Sequence, residues 1–433
     1  MRNLIYRLGL DNRRHNRELL LLLGVLVISS LGFLDVEAAR NAGFSWHFLT
    51  YPLGLFGIFF LGHLCIRIFL PSADYMVLPL AALLSSLGLV MLYRLNPSLA
   101  NTQFVWISVG VGCFVALILI LRNIEVIANY KYITALAGLL LLFSTFIFGT
   151  EVNGARLWIV VGPLRFQPSE LAKILLAIFF AAYLADKREM LTEAGRKVRG
   201  FEVPHLKHLG PLLTMWILSL LLLIFQKDLG SSLLFFGIFL ALIYVATSRM
   251  SFVVIGMLLF ILGATCCYFA FGHVEQRVKI WADPLNPKTI NGVSYQPAQS
   301  LIAIASGGMT GTGLGRGHPD FIPDVTTDFI FSAFAEELGL LGATMILLAY
   351  LMLAWRGLRI SLHRQDDFGR LLGVGLTAIV ALQSFVIIGG VTRLIPLTGI
   401  TLPFVSYGGS SILTNFLLVG LLMILSNRKE ATA

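Results

Sequence analysis

A carboxylate and an ammonium group stand three positions apart where a long apolar segment begins. The segment reads QPSELAK, and this spacing places Glu170 and Lys173 on one face of a predicted helix. The two residues can form an ion pair near the membrane interface, behind an N-cap at Ser169. They can instead form a functional pair, because a charge within a membrane span is costly and usually lines a cavity. We favour the second interpretation.

A second group of acids follows a long polar loop. Asp328 directly precedes the apolar run FIFSAFAEELG, and Asp324 lies one turn earlier. Glu336 and Glu337 lie two turns deeper, with Glu336 roughly 12 Å along the helix axis from Asp328 and on a similar side. Asp328 can serve as a helix cap or as a functional carboxylate. Two acids inside one span indicate a wet, polar interior.

Two further segments carry charged residues beside apolar runs. In QKDLGSS, Asp228 can cap the following span or act in a polar site. In NGARLW, Arg156 and Trp158 can anchor the chain at the membrane interface, or Arg156 can bind phosphate. The sequence contains no phosphate-binding loop of the Walker type and no metal-type spacing of His and Cys.

Composition and hydropathy define the elements that must position these residues. The chain is 57% hydrophobic and 13% charged, with a mean hydropathy of +0.84, and soluble domains carry about twice that charged fraction. Apolar residues come in blocks of about 20, the length of a helical membrane span. We predict an all-α polytopic membrane protein. Its twelve predicted spans lie at about residues 19–36, 47–70, 75–94, 103–121, 132–149, 170–186, 208–226, 229–247, 251–271, 328–355, 371–391 and 403–426.

The distribution of basic residues predicts the orientation of these spans. Of the 32 Lys and Arg residues, 21 fall in the N-terminal segment, alternate loops and the C-terminus, which the positive-inside rule places in the cytoplasm. Both termini are therefore predicted to be cytoplasmic, and the long loop at residues 272–327 is predicted to be extracytoplasmic. The net charge of +9 reports this topology and does not indicate binding to nucleic acid.

Five segments of the chain resemble the shape, elongation, division and sporulation (SEDS) family, which includes RodA, FtsW and SpoVE. In order they are NGARLWIVVGPLRFQPSELAK, QKDLGSS, QSLIAIASGGMTGTGLG, TTDFIFSAFAEELG and GITLPFVSYGGSSILTN. Because the family's usual core has ten spans, residues 1–74 would hold a cytoplasmic segment and two additional spans, and residues 75–433 the catalytic core. Lys227 stands where the family usually has Pro, and Asp324 where it usually has Glu.

The resemblance implies a peptidoglycan glycosyltransferase that polymerises lipid II at the outer face of the bacterial cytoplasmic membrane, in elongation, division or sporulation. It also implies a partner, a class B penicillin-binding protein that acts as the transpeptidase. An acceptor hydroxyl would attack the anomeric carbon of the donor, so a base must take its proton. By resemblance, Asp328 is that base.

The leaving group implied by the resemblance is a polyprenyl diphosphate, which mainly needs cations. Lys173, Arg156 and Arg277 are candidate partners for it, and Glu170 would orient Lys173. A divalent cation, Mg²⁺ or Mn²⁺, could bridge the diphosphate to acids. The predicted substrate-binding residues are Arg156, Glu170, Lys173, Asp228, Arg277, Gln299 and Ser406.

Two other functions fit the same set of spans. A flippase for lipid-linked precursors would also need many spans and intramembrane charges, but its charges would be distributed through both leaflets. The basic residues of the predicted cytoplasmic loops have the pattern expected from membrane topology alone. A non-catalytic scaffold for the transpeptidase would not need Asp328, Glu170 and Lys173 together. We therefore expect the enzyme rather than the transporter or the scaffold.

Overall fold

The computed structural model describes residues 13–40, 46–121, 123–152, 155–162, 164–192, 196–198, 201–203 and 210–427. In chain order, its α-helices are α1 (Arg13–Arg40), α2 (Thr50–Phe69), α3 (Val77–Leu95), α4 (Pro97–Ile120), α5 (Glu125–Asn129), α6 (Lys131–Phe148), α7 (Pro168–Thr192), α8 (Gly210–Phe225), α9 (Leu229–Thr247), α10 (Met250–Ala270), α11 (Gly272–Ala282), α12 (Tyr295–Gly307), α13 (Ile330–Leu362), α14 (Asp367–Val391) and α15 (Gly409–Ser426). The strands are β1 (Gly149–Val152), β2 (Ala155–Val161), β3 (Leu164–Phe166), β4 (Arg196–Val198) and β5 (Phe201–Val203). Two short 3₁₀-helices cover Trp46–Leu49 and Pro319–Phe321.

Helices dominate the described residues, as the composition predicts. Eleven of them are long and apolar enough to cross a membrane, and they coincide with eleven of the twelve predicted spans. The predicted span at residues 208–226 corresponds to α8, whose 16 residues fall short of the roughly 17–25 that a membrane span uses. The prediction of an all-α polytopic membrane protein is confirmed.

The chain divides into two compact units, and each is assembled from separated segments. The first unit contains Met1–Ile124, Gln296–Ile360 and Thr401–Ala433, and the second contains Glu125–Tyr295 and Ser361–Ile400. The division between residues 1–74 and 75–433 that the family resemblance implies stays a prediction.

Close helix packing organises the first unit. Helix α4 packs against α2 and α15, and α1 packs against α3. Helix α4 begins at Pro97 because the Asn96 side chain caps it, accepting a hydrogen bond from the Ser98 backbone N–H at 3.0 Å. A Cβ atom at Gly88 of α3 would lie 2.4 Å from the carbonyl oxygen of Val405. Glycine is therefore required there for the α3 backbone to approach the irregular segment that precedes α15.

The two N-terminal spans of this unit share a buried polar cluster. The carboxylate of Glu18 on α1 lies 3.3 Å from Nδ1 of His15 and 3.3 Å from Nδ1 of His63, which is on α2. The Nε2 atom of His15 lies 3.1 Å from the carbonyl oxygen of Pro71, so this nitrogen carries a proton and donates it. All three side chains are buried. The cluster ties the start of α1 to the end of α2.

The second unit combines long helices with a small sheet. Helix α7 packs against α6 and α14, and α14 also packs against α9. Strands β1, β2 and β3 form an antiparallel sheet in that order, with Thr150 opposite Trp158 and Ile159 opposite Phe166. These residues lie between the predicted spans at residues 132–149 and 170–186, where no strand was predicted. The β-branched and aromatic residues among them favour strand pairing, which explains the sheet.

Helices also occupy much of the long segment at residues 272–327. Helix α11 covers its first part, which belongs to the second unit. Helix α12 and the 3₁₀-helix Pro319–Phe321 lie in the part that belongs to the first unit. Helical elements thus cover about half of this segment.

Candidate functional site

The start of α7 positions the predicted pair of the second unit. Helix α7 begins at Pro168, whose fixed φ suits the first helical position. Ser169 therefore lies inside the first turn and does not cap the helix, contrary to the N-cap in the interpretation that we did not favour. Its hydroxyl accepts a hydrogen bond from Nε2 of Gln167 at 3.1 Å.

Glu170 and Lys173 form a buried ion pair on one face of α7. Lys173 Nζ donates to Glu170 Oε2 at 2.9 Å, and the two side chains are only 2% and 5% exposed for Lys173 and Glu170 respectively. The pairing predicted from their spacing is confirmed. The same ammonium donates to Oε1 of Gln383 on α14 at 2.7 Å, and Gln383 is fully buried. Sequence reasoning missed Gln383, although a buried amide in the apolar run ALQSFVI was a usable signal.

Asp228 caps helix α9, as one of its two interpretations predicted. Its Oδ1 accepts a hydrogen bond from the Ser231 backbone N–H at 2.9 Å. Its Oδ2 is buried and has no hydrogen-bond partner among the described residues. This burial raises the pKa of the Asp228 carboxyl above its ordinary value; the nearby Glu170 raises it further, and Lys173 opposes the shift. The preceding residue, Lys227, has a left-handed φ of 63°.

The two arginines predicted in the second unit have different surroundings. Arg156 lies on β2, is 57% exposed, and has its Nε 3.5 Å from a carboxylate oxygen of Glu151. Such an exposed pair leaves the guanidinium accessible to another anion, because its net stabilisation is small. Arg277 lies on α11 and donates to the carbonyl oxygens of Leu397 at 3.3 Å and Thr398 at 3.0 Å. Its contacts hold α11 to the segment that follows α14.

In the first unit, Asp328 lies in a turn that precedes α13. The helix begins at Ile330, so Asp328 stands two residues before its first residue, and it is half-buried. Two contacts hold the backbone of this turn in place. The Ser406 hydroxyl donates to the Thr327 carbonyl oxygen at 2.5 Å, and the Tyr407 backbone N–H donates to the Thr326 carbonyl oxygen at 2.9 Å. The segment before α15 therefore positions the backbone next to Asp328.

Ser406 is buried and uses its hydroxyl within the protein. Besides donating to Thr327, this hydroxyl accepts the Leu402 backbone N–H at 2.9 Å. The Ser406 carbonyl oxygen accepts a hydrogen bond from Nε2 of Gln103 on α4 at 3.1 Å. Sequence reasoning missed Gln103. Gln299, which was predicted to bind substrate, lies half-buried on α12.

Glu336 and Glu337 anchor a glycine-rich segment to α13. Both acids are buried. Glu337 accepts from Nε of Arg94 at 2.9 Å and from the Gly315 backbone N–H at 3.0 Å, and Glu336 accepts from the His318 backbone N–H at 2.8 Å. Sequence reasoning placed the two acids in a polar interior but missed Arg94, the positive neighbour of Glu337. Both carboxylates hold the glycine-rich segment to α13.

Known proteins resemble this chain over most of its length. A family model described as cell cycle protein, for FtsW, RodA and SpoVE, matches residues 68–431. The chain belongs to this family. Peptidoglycan glycosyltransferase RodA of Mycobacterium tuberculosis is 45% identical over 428 residues, which are 96% of this chain and 91% of that protein. Stage V sporulation protein E of Bacillus subtilis is 32% identical over 372 residues, which are 82% of this chain and 97% of that protein.

Solved structures of the FtsW, RodA and SpoVE family share the fold. A chain from a study of polymerization and crosslinking by a peptidoglycan synthase complex aligns with a TM-score of 0.68 at 27% identity, covering 83% of this chain and 99% of that chain. Thermus thermophilus RodA aligns with a TM-score of 0.59 at 25% identity and the same coverage, 83% and 99%. The family identified by resemblance is thereby confirmed.

The charged side chains of the predicted site decide which ligands it could hold. No group of three or more His, Cys, Asp or Glu side chains in the described ranges could hold a metal ion. Mg²⁺ is usually held by one or two carboxylates together with substrate phosphates, so a cation carried by a diphosphate would still fit the acids present. The buried ammonium of Lys173 and the exposed guanidinium of Arg156 are chemically suited to phosphate oxygens.

Proposed function

We propose that this protein polymerises lipid II into glycan strands at the outer face of the bacterial cytoplasmic membrane. The observation that carries this proposal is its 45% identity, over 96% of the chain, to a RodA named as a peptidoglycan glycosyltransferase. The reaction joins the 4-hydroxyl of an acceptor sugar to the anomeric carbon of the donor. The bond from that carbon to the diphosphate oxygen breaks, and the polyprenyl diphosphate leaves.

Asp328 is the general base in this proposal. A sugar hydroxyl is a weak nucleophile, so its proton must pass to a base as the new glycosidic bond forms. The half-buried position of Asp328 leaves its carboxylate partly accessible, and the contacts of Ser406 and Tyr407 hold the backbone just before it. Both features support the role. A glycosidase needs a second acid to protonate its leaving group, whereas a diphosphate leaves without that proton.

Cations of the second unit bind the diphosphate in this proposal. Lys173 is held by Glu170 and Gln383, which accept two of the three ammonium protons and leave one for a phosphate oxygen. Arg156 is exposed and is available to the same anion. Arg277 acts from α11, and Asp228, Gln299 and Ser406 are further substrate-binding residues in this proposal.

The remaining parts of the proposal concern topology, the N-terminal spans and the partner. Both termini lie in the cytoplasm, which the distribution of basic residues supports. Residues 1–74 add two spans to the family core, which is supported by a family match that begins at residue 68. The partner is a class B penicillin-binding protein, supported by similarity to a chain from a peptidoglycan synthase complex.

Purified protein incubated with labelled lipid II, with and without its candidate transpeptidase, tests this function. Glycan strands separated by gel electrophoresis are the expected product, and they should be absent when Asp328→Asn replaces the parental protein. If no strands form under either condition while the protein moves labelled lipid II across vesicle bilayers, the chain is a flippase. If it does neither yet binds the transpeptidase, it is a scaffold.

A further inference from the structure

One buried amide in the second unit has no role in the proposed function beyond its contact with Lys173. Gln383 lies within α14, an apolar helix long enough to span the membrane, and its side chain is fully buried. Placing an amide in such surroundings costs free energy unless the amide is hydrogen-bonded. Its Oε1 accepts from Lys173 Nζ at 2.7 Å, which is shorter than the 2.9 Å between Lys173 and Glu170.

Lys173 has two hydrogen-bond acceptors, the charged carboxylate of Glu170 and the neutral amide of Gln383, and their chemistry explains this difference in charge. A lysine ammonium is a compact charge on a flexible four-carbon stem, so one partner on its own helix does not fix its position. Glu170 comes from the same helix as Lys173, whereas Gln383 comes from α14. Because an amide carries no charge, Gln383 gives the Lys173 ammonium a second contact, from another helix, without neutralising its positive charge any further. A carboxylate at this position would make the group of three side chains net negative and would repel an anion.

We propose that Gln383 is a positioning residue, whose amide oxygen holds the Lys173 ammonium where it receives the diphosphate of the lipid-linked substrate. This inference rests on the proposed function, in which Lys173 binds that diphosphate. In this inference α14 contributes to substrate binding through Gln383, which acts on Lys173 and does not itself contact the substrate.

A purely structural role for Gln383 leads to a different expectation. If the amide only links α7 to α14, then a Gln383→Glu variant that accumulates keeps the acceptor oxygen and the side-chain length, and its diphosphate binding should be normal. If the amide positions a cation for an anion, the same substitution places a negative charge beside the site and weakens diphosphate binding. Gln383→Met keeps the length but removes the acceptor. Thr377→Val on the same helix is the matched control, because among the described residues the Thr377 hydroxyl hydrogen-bonds only to the Gly373 backbone carbonyl oxygen, at 2.7 Å.

The test measures binding of polyprenyl diphosphate and of polyprenyl monophosphate to the purified full chain, as competition against labelled lipid II. Gln383→Glu is expected to weaken diphosphate binding by at least about tenfold, since a like charge beside a bound anion is strongly unfavourable. Its effect on the monophosphate should be smaller. In polymerisation assays the same variant should raise KM more than it lowers kcat, because ground-state binding is lost. Thr377→Val should match the parental protein in every measurement.

Several results would overturn this inference, and they differ from those that would overturn the proposed function. Parental protein that polymerises lipid II, together with Gln383→Glu and Gln383→Met variants that bind diphosphate normally, would refute the positioning role alone. A Gln383→Glu variant that fails to accumulate while Thr377→Val accumulates would assign Gln383 a structural role instead. Parental protein that neither binds the diphosphate nor polymerises lipid II would refute both proposals together.

Discussion

Replacement of Asp328 by Asn tests the proposed chemistry most directly. The substitution keeps the shape of the side chain and its ability to cap a helix. It removes the ability to accept a proton from a sugar hydroxyl. The bonds from Ser406 and Tyr407 that hold the neighbouring turn go to backbone carbonyl oxygens, so the substitution leaves them intact. We therefore expect a folded protein that still binds its partner.

The expected loss of activity is large compared with any loss of stability. General base catalysis usually contributes a factor of about 10²–10⁴ in rate, which corresponds to about 3–5 kcal/mol of activation free energy. Asp328 is only half-buried and its turn is held through the backbone, so the free energy of unfolding should change by less than about 1 kcal/mol. The loss of rate and the change in the free energy of unfolding can therefore be measured separately on the same purified variant.

The assay compares initial rates of glycan synthesis at matched protein concentration, with thermal unfolding measured on the same samples. Asp324→Asn and Asp320→Asn are the matched controls. Both residues are exposed, and Asn tolerates the left-handed φ of 53° at Asp324. Each control should retain most of the activity. If Asp328→Asn forms strands at near the parental rate, Asp328 is not the base and the reasoning is refuted.

Four further outcomes are expected. In a background without the native cysteines, a thiol at Asn291 should react with an impermeant reagent from outside the cell and one at Gln365 should not; the reverse would overturn the topology. Lys173→Ala should lower the free energy of unfolding by roughly 3–5 kcal/mol because it strands a buried carboxylate, and normal stability with normal polymerisation would remove the pair from the mechanism. Glu18→Leu should cost about 1–3 kcal/mol by leaving the buried Nδ1 atom of His15 without its partner on α1, which an unchanged melting temperature would contradict. A single-pass transpeptidase should co-purify with the chain and stimulate polymerisation, and full activity unaffected by any such partner would make it dispensable.

Local rules explain what could be predicted from the sequence alone. Apolar runs of about 20 residues define membrane spans whatever their neighbours are, because lipid requires each span to satisfy its own backbone hydrogen bonds. The spacing of Glu170 and Lys173 determines a shared helix face, and Asp228 caps a helix that begins at the next residue. Each of these interactions lies within about one turn of chain. The alternative of a cap at Ser169 is not realised, because the helix already begins at Pro168.

Only the tertiary structure decided which helices supply the partners of these groups. Gln383 meets Lys173 across 210 residues, Arg94 meets Glu337 across 243, and Gln103 meets Ser406 across 303. Periodicity cannot select such partners, because nearly every face of every span here is apolar. In lipid, helices associate through close packing and buried hydrogen bonds rather than through a hydrophobic driving force. The identity of each polar partner therefore depends on which backbones can approach, as at Gly88, and that is a property of the folded chain.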